Sequence, residues 1–376
     1  MASNAWGMGE YAATPLGHAI TGVGTTAAAF IGNATAGPVN QPESISGFPA
    51  FQQKFGGLTP NLELGYAIRQ FFLNGGSSAC VVRVGANGTD AAVIQSIRAL
   101  DSVDAFNLLA LPGITAPAVL ATAADYCGKR RAFLVVDSPP SAGTPSQMSA
   151  AITSGAIPPT TNGAVYNPWI QIADPFKPGQ LRSTPASGTV VGLIACTDRP
   201  WGVWKALVGS GIVPRGVQSL DYRLNDPEAD QLSQLGVNCF RDFPGQGPLL
   251  WGARTLAFAT MPGSEWKYIP VRRMALFLEE SIDRGTQWAI FEPNDEKLWA
   301  QIRLDVAAFL LGFFRQVRRH NHHPGRCCSR CREHSGRLCT SHACRVCAHP
   351  PATDGPTAVS MISIEETNMC RFTMPA

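Results

Sequence analysis

The chain has 376 residues, 45% of them hydrophobic and 15% charged, which is too apolar for a disordered polypeptide and enough to bury the core of two or three domains. It contains no run of eighteen apolar residues and no charged segment leading into an apolar one, so we expect no membrane insertion, no secretory signal and folding in a cytoplasm. The net charge of +3 is uneven: from Arg315 onward nine arginines face four acids, leaving a body of −2 with no basic stripe and no support for direct nucleic-acid binding.

Residues 1–21, with Gly7, Gly9, Pro15 and Gly17 and no helical period, read as a flexible arm. From 22 to 188 strands at 27–31, 80–84, 107–111 and 132–136 alternate with helices at 49–55, 61–74, 91–100 and 117–127. Such alternation predicts an α/β domain (α+β for the whole chain) in which a mainly parallel sheet is flanked by helices. Residues 138–188, rich in proline, serine and glycine, read as a loop-rich insertion holding one strand at 166–174. A smaller C-terminal α+β domain is expected over 189–315, opening with a helix at 189–197.

That domain closes on a helix, strand and helix. Val271, Met274, Leu278 and Ile282 share a helical face, Gly285 follows the last turn, and Trp288 to Phe291 form a short apolar run ended by Pro293. Asn294 is expected to cap a final helix in which Trp299, Ile302, Val306, Phe309 and Phe313 recur at three- and four-residue steps. Asp295 and Glu296 stand in its first turn, where the helix dipole favours negative charge.

Catalytic signatures are missing from this body. There is no P-loop, no third glycine after Gly22-x-Gly24, no Gly-x-Ser-x-Gly elbow, and no histidine before His320 except His18. The pair Glu279-Glu280 lies on an amphipathic helix and reads as a solvated face. We therefore expect no enzyme, no catalytic residue and no cofactor. Cys80, Cys127, Cys196 and Cys239, widely spaced in apolar or helical surroundings, read as reduced core cysteines.

The run Val271-Arg-Arg-Met to Leu298-Trp299 closely resembles the C-terminal signature of the contractile phage tail sheath family. Trp251-Gly-Ala-Arg-Thr255, Leu235-Gly-Val-Asn238, Trp266-Lys-Tyr268 and Thr189 to Thr197 are similar to further family segments. So, in order, are Gly22 to Gly32, Gly37 to Asn40, Phe51 to Gly57 and Phe71 to Gly76. The resemblance covers roughly residues 20 to 315. It implies a structural subunit that polymerises helically around a tail tube and contracts to drive that tube through a cell envelope. The implied partners are other copies of the chain, the tail tube protein, and baseplate and tail terminator proteins, in a virion tail assembled in the host cytoplasm. It also implies that residues 271–314 belong to a strand-sharing layer and that Arg254, Arg272, Arg273 and Trp299 lie at the assembly interface. For each arginine, a local intrachain salt bridge remains open.

Residues 316–376 break with the rest of the chain, holding seven of eleven cysteines and six of seven histidines. Cys328-x-x-Cys331 and Cys344-x-x-Cys347, twelve residues apart, have a zinc-ribbon layout, so the alternative function is zinc or nucleic-acid binding through this tail. The competing reading is a shifted frame. Codons for Arg319 to Cys327, read from the second base, permit Gly-Thr-Thr-Thr-Thr-Pro-Asp-Asp-Ala, similar to the Gly-x-Thr-Thr-Pro segment that follows this helix in sheath proteins. A frameshift accounts for the cysteine, histidine and arginine excess together and leaves the tail poorly ordered with no metal site.

Overall fold

A computed structural model of the chain describes residues 18–321, apart from 86–87, 105, 210 and 262. Mostly buried apolar runs form the strands β1 (Ala28–Gly32), β3 (Ala79–Arg83), β4 (Leu108–Ala110), β5 (Phe133–Asp137) and β6 (Gly163–Asn167), while the edge strand β2 (Pro42–Ile45) is polar and buries only Ile45. A three-stranded side sheet is made by β7 (Ile170–Ala173), β8 (Leu181–Thr184) and β9 (Ser219–Leu220), and the chain returns to the main sheet with β10 (Val237–Phe243) and β11 (Gly247–Trp251). The main sheet has eight strands in the order β11-β10-β6-β5-β4-β1-β3-β2. Its six inner strands run parallel, and the antiparallel β2 and β11 close the two edges.

Strand alternation divides the interior. Phe30, Val81, Leu108, Phe133 and Tyr166 point to the face covered by α1 (Phe48–Phe55), α2 (Glu63–Leu73) and later α6 (Ser187–Trp201). Ile31, Val82, Leu109, Leu134 and Val165 point to the other face. There they meet α3 (Asp90–Ala99), α4 (Pro117–Lys129), α5 (Pro145–Thr153) and α7 (Asp226–Gln234). A sheet covered on both sides explains why the strands read as continuous apolar runs.

Short polar signals set the helix starts. Thr144 with Gln147 and Asn225 with Glu228 form reciprocal capping boxes at α5 and α7. Both helices went unseen in the sequence, α5 within the stretch read as loop-rich. Residues 189–251, assigned by sequence to the C-terminal domain, contribute α6, α7, β10 and β11 to this sheet and its two faces. Within 166–174 the cis peptide Asn167–Pro168 separates β6 from β7, which enter different sheets.

Helix α6 lies close against α2. A Cβ added at Gly188 would stand 2.3 Å from the Ala67 carbonyl oxygen, and one at Gly192 2.7 Å from that of Phe71, so two glycines one turn apart let the helices approach backbone to backbone. The outer side of α6 leaves Cys196 exposed, a correction to its reading as a core residue, whereas Cys127 and Cys239 are buried and Cys80 is partly so. Burial pushes the Cys239 thiol up to about 12 and Cys80 to about 11, so both stay protonated and inert near neutrality.

The chain continues through a 3-10 turn at Glu265–Lys267 into α8 (Ile269–Thr286), a second 3-10 turn at Gln287–Phe291, and α9 (Glu296–Asn321). The strand expected at 288–291 is therefore absent. A strand needs a neighbour for its N–H and C=O groups, and no described segment pairs with it, so local bonds such as Glu292 N–H to the Ala289 carbonyl (3.2 Å) take over. The cap of α9 also falls one residue later than expected: the Asp295 carboxylate accepts the Leu298 N–H at 2.8 Å, while Asn294 Oδ1 accepts the Trp299 indole N–H at 2.8 Å.

Asp137, the last residue of β5, is 1% exposed and ties three segments together. Its Oδ1 accepts the Ser187 N–H at 2.7 Å; its Oδ2 accepts the Ser187 hydroxyl at 2.7 Å and the Gly113 N–H at 3.2 Å. Burial outweighs these bonds and pushes its carboxyl up to about 6. Because the folded value is raised, stability from this group is complete below the unfolded value of 3.8 and is lost as pH rises through about 6. Asp137→Asn should remove that slope: in urea titrations the wild type should lose about 3 kcal/mol relative to the variant between pH 3 and 7.

Candidate assembly interface

The segments singled out by resemblance converge on one junction that sets the direction of α8. Asn238 on β10 holds the turn after β11: its Nδ2 donates to the Arg254 carbonyl at 2.8 Å, and its Oδ1 accepts the Arg254 N–H at 2.7 Å. Gly252, at φ +128, passes over Asn238 where a Cβ would stand 2.9 Å from Oδ1. Thr255 then receives the next segment: its N–H donates to the Lys267 carbonyl at 2.9 Å and its hydroxyl to the Trp266 carbonyl at 2.8 Å. Leu235 to Asn238, Trp251 to Thr255 and Trp266 to Tyr268, distant in sequence, thus form one interlocked unit at the root of α8.

Helix α8 is fastened to the body by arginines. Arg273, 6% exposed, makes a two-pronged pair with Asp198 of α6, Nη1 to Oδ1 at 3.1 Å and Nη2 to Oδ2 at 2.6 Å. Its Nη2 also donates to the Thr25 carbonyl at 3.3 Å. Arg272 donates through Nε to Asn162 Oδ1 at 2.7 Å, pairs with Glu279 at 3.1 Å and lies over the Trp266 ring at 4.9 Å. At the far end Arg131 reaches Glu280 and Asp283, both at 3.0 Å, and Arg284 bonds Glu280 at 2.6 Å. Partial burial of Glu280 would raise its pKa, but hydrogen bonds from Arg284 and Arg131 prevail and hold its carboxyl below the usual range.

A strap of residues 18–27 crosses the α8–α9 hairpin. Val23 N–H donates to Ser281 Oγ at 3.1 Å, and His18 stacks on Trp288 with centroids 4.2 Å apart. The fit is close: a Cβ at Gly22 would stand 2.8 Å from Phe277, and one at Gly285 2.7 Å from Ile20. Gly285 accordingly lies inside α8 and not after it, because it is needed where the strap passes. Met274, Phe313 and Val317 bury the hairpin seam with Val203. An open cavity of 470 Å³ remains between strap and α9, lined by Ile20, Phe277, Phe309 and Asp305, whose Oδ2 is buried with no partner among the described residues.

Outside this seam the hairpin exposes several large apolar side chains among charged ones such as Glu292, Glu296, Lys297 and Arg303. Ile290 is 78% exposed, Phe291 89%, Leu304 65%, Leu311 49% and Trp299 46%. The four interface residues expected from sequence separate accordingly. Arg272 and Arg273 enter intrachain ion pairs. Arg254 bonds Ser233 and lies over Phe258 at 4.2 Å, with burial lowering its pKa. Trp299 alone stands at the surface. Sequence reading ended its family-like segment at Thr197 and missed Asp198 as the partner of Arg273, and it missed Leu304 and Leu311 because it followed the stripe through Trp299, Val306 and Phe313.

Among the described residues no three His, Cys, Asp or Glu side chains gather to hold a metal, and no helix is long and apolar enough to cross a membrane. Cys328, Cys331, Cys344 and Cys347 lie outside the described residues, as does the N-terminal part of the expected arm.

Residues 87–256 match the family model of the phage tail sheath protein central domain. Tail sheath proteins of Vibrio phage KVP40 and Enterobacteria phage T4 are 33% and 29% identical over 131 and 135 residues. These stretches are 34% and 35% of this chain but 19% and 20% of the relatives, so the match spans about a fifth of their length. The contracted helical sheath of the anti-feeding prophage superposes with a TM-score of 0.67 at 24% identity, covering 79% of this chain and 80% of that one. The contracted sheath of an extracellular contractile injection system gives 0.67 at 24%, covering 79% and 78%. At these identities the superpositions establish a shared fold.

Breaking the Arg273–Asp198 pair from one side strands a buried charge. Arg273→Met or Asp198→Asn should each cost about 3–5 kcal/mol in urea unfolding. The double change Arg273→Met with Asp198→Leu should recover most of that loss, and equal, additive losses would show that the pair is not coupled.

Proposed function

We propose that the chain, whose residues 87–256 match the family model of the phage tail sheath protein central domain, is a structural subunit of a contractile tail sheath. In this reading it polymerises helically around a tail tube and contracts to drive the tube through a cell envelope, within a virion tail or a related injection device assembled in a bacterial cytoplasm. The observation that supports it most is the extent of the likeness: one fold shared over 79% of the chain with subunits of contracted helical sheaths.

The physical requirements of such a subunit agree with the features above. Identical subunits joined by heterologous contacts that do not close form an open helix, so the chemistry of function is interface energy. Contraction is then a rearrangement of near-rigid bodies between two packings, with no nucleotide consumed. A sheet covered on both faces, with α8 riveted to it, supplies a rigid body. Apolar side chains exposed on the hairpin supply contact area, and Trp299 is the interface residue that the geometry leaves available to a neighbour; Arg254, Arg272 and Arg273 would act by orienting α8. The partners are other copies of the chain, the tail tube protein, and baseplate and tail terminator proteins.

We assign residues 316–376 to a shifted frame, supported by the permitted Gly-Thr-Thr-Thr-Thr-Pro-Asp-Asp-Ala string and by the abrupt change in cysteine, histidine and arginine usage. If the frame is shifted, the family-like segment after α9 is lost, so the chain should fold but should not build long sheaths, whereas restoring the frame near codon 316 should yield regular tubes in negative-stain images. Long tubes from the unrepaired chain, or one firmly bound zinc per chain lost on Cys328→Ser, would overturn the frameshift; a repaired chain that stays dispersed with its tube protein present would overturn the sheath reading.

A further inference from the structure

The open cavity between the strap and α9 follows from residue size. Asp305, Ala308, Phe309, Gly312 and Phe313 recur at three- and four-residue steps and line it from one side of α9. Ala308 and Gly312 are the small members of that stripe, and a Cβ added at Gly312 would meet nothing within 4 Å. The rest of the wall is Ile20 and Gly22 of the strap and Phe277 of α8. The Phe277 ring centre lies 6.4 Å from that of Phe309 and 5.5 Å from that of Phe313, so three aromatic rings gather at the hollow.

Asp305 is the one charged residue in this lining, and none of the lining residues is basic. It is 9% exposed, and Oδ1 accepts the Gln301 amide at 2.8 Å while Oδ2 has no hydrogen-bond partner among the described residues. A carboxylate held in apolar surroundings with unused acceptor capacity costs free energy, which a donor entering beside it would recover. A positive charge on that donor is favoured twice, by the carboxylate and by the faces of the phenylalanine rings. A volume of 470 Å³ falls in the range that holds a small organic molecule.

We propose that this cavity binds a small organic monocation, a primary ammonium that donates to Asp305 and is carried on an aromatic or short alkyl body seated over Gly312 beside Phe277, Phe309 and Phe313. This goes beyond the sheath reading, which calls for contacts between proteins and gives the cavity no role.

Isothermal titration of the full chain with three probes that share a ring and differ in the head group tests it. Phenethylamine should bind roughly tenfold or more tightly than phenethyl alcohol, since a hydrogen bond to a charged group is the stronger, and phenylacetate should bind more weakly than either. Asp305→Asn should erase the difference between amine and alcohol. Gly312→Leu places a side chain in the open space and should abolish binding of the amine, with the circular dichroism spectrum kept and the urea midpoint no lower, because leucine is the better helix former. No binding of the amine, equal binding of amine and alcohol, a preference that persists in Asp305→Asn, or binding undiminished in Gly312→Leu would overturn the proposal. None of these outcomes bears on whether a frame-restored chain forms tubes.

Discussion

The arrangement of this molecule depends on one buried ion pair. Arg273 and Asp198 are 6% and 1% exposed at the side chain, so both have given up their hydration, and only the two-pronged geometry compensates. The pair joins α8 to α6, and its remaining donor reaches Thr25 on the strap. Three segments far apart in sequence are thereby held to one point. Because α6 is pressed onto α2 at Gly188 and Gly192, the fixed point is continuous with the sheet. A hydrophobic contact at this position would hold α8 near the body; a planar guanidinium against a carboxylate also fixes its rotation. The direction in which the exposed hairpin surface points follows from that rotation.

Much of the sheet was legible because its strands are buried on both faces and announce themselves as β-branched and aromatic runs between glycines and prolines. The strands expected near 80–84 and 132–136 differ from β3 and β5 by one residue at each end. Elements carried by polar grammar were harder to see. The capping-box words Thr144-Pro-Ser-Gln147 and Asn225-Asp-Pro-Glu228 mark α5 and α7, yet they sit in stretches whose prolines and serines suggest loops. The Trp288 to Phe291 run has the composition of a strand and the structure of a 3-10 turn. Composition reports what a segment would do with a partner, and the conformation reports that none of the described residues provides one.

The site was legible in part for a similar reason. Arg272, Arg273 and Arg254 stood out as a cluster, but an arginine in sequence does not disclose whether it faces inward or outward. Two of them find carboxylates within the chain, and the third finds a serine and a phenylalanine ring. The large apolar side chains that the hairpin leaves exposed are Ile290, Phe291, Trp299, Leu304 and Leu311, set among charged ones. Under the proposed sheath reading these side chains are candidates for contact with a neighbour.

The central claim is that copies of this chain meet through the hairpin while the α/β body stays unchanged. Amide hydrogen exchange, followed at low and high protein concentration, tests it directly. The account predicts that protection rises with concentration in peptides covering 287–315 and stays constant across β1 to β6. Protection gained along β2 or β11, the free edges of the main sheet, with the hairpin unaffected, would contradict it.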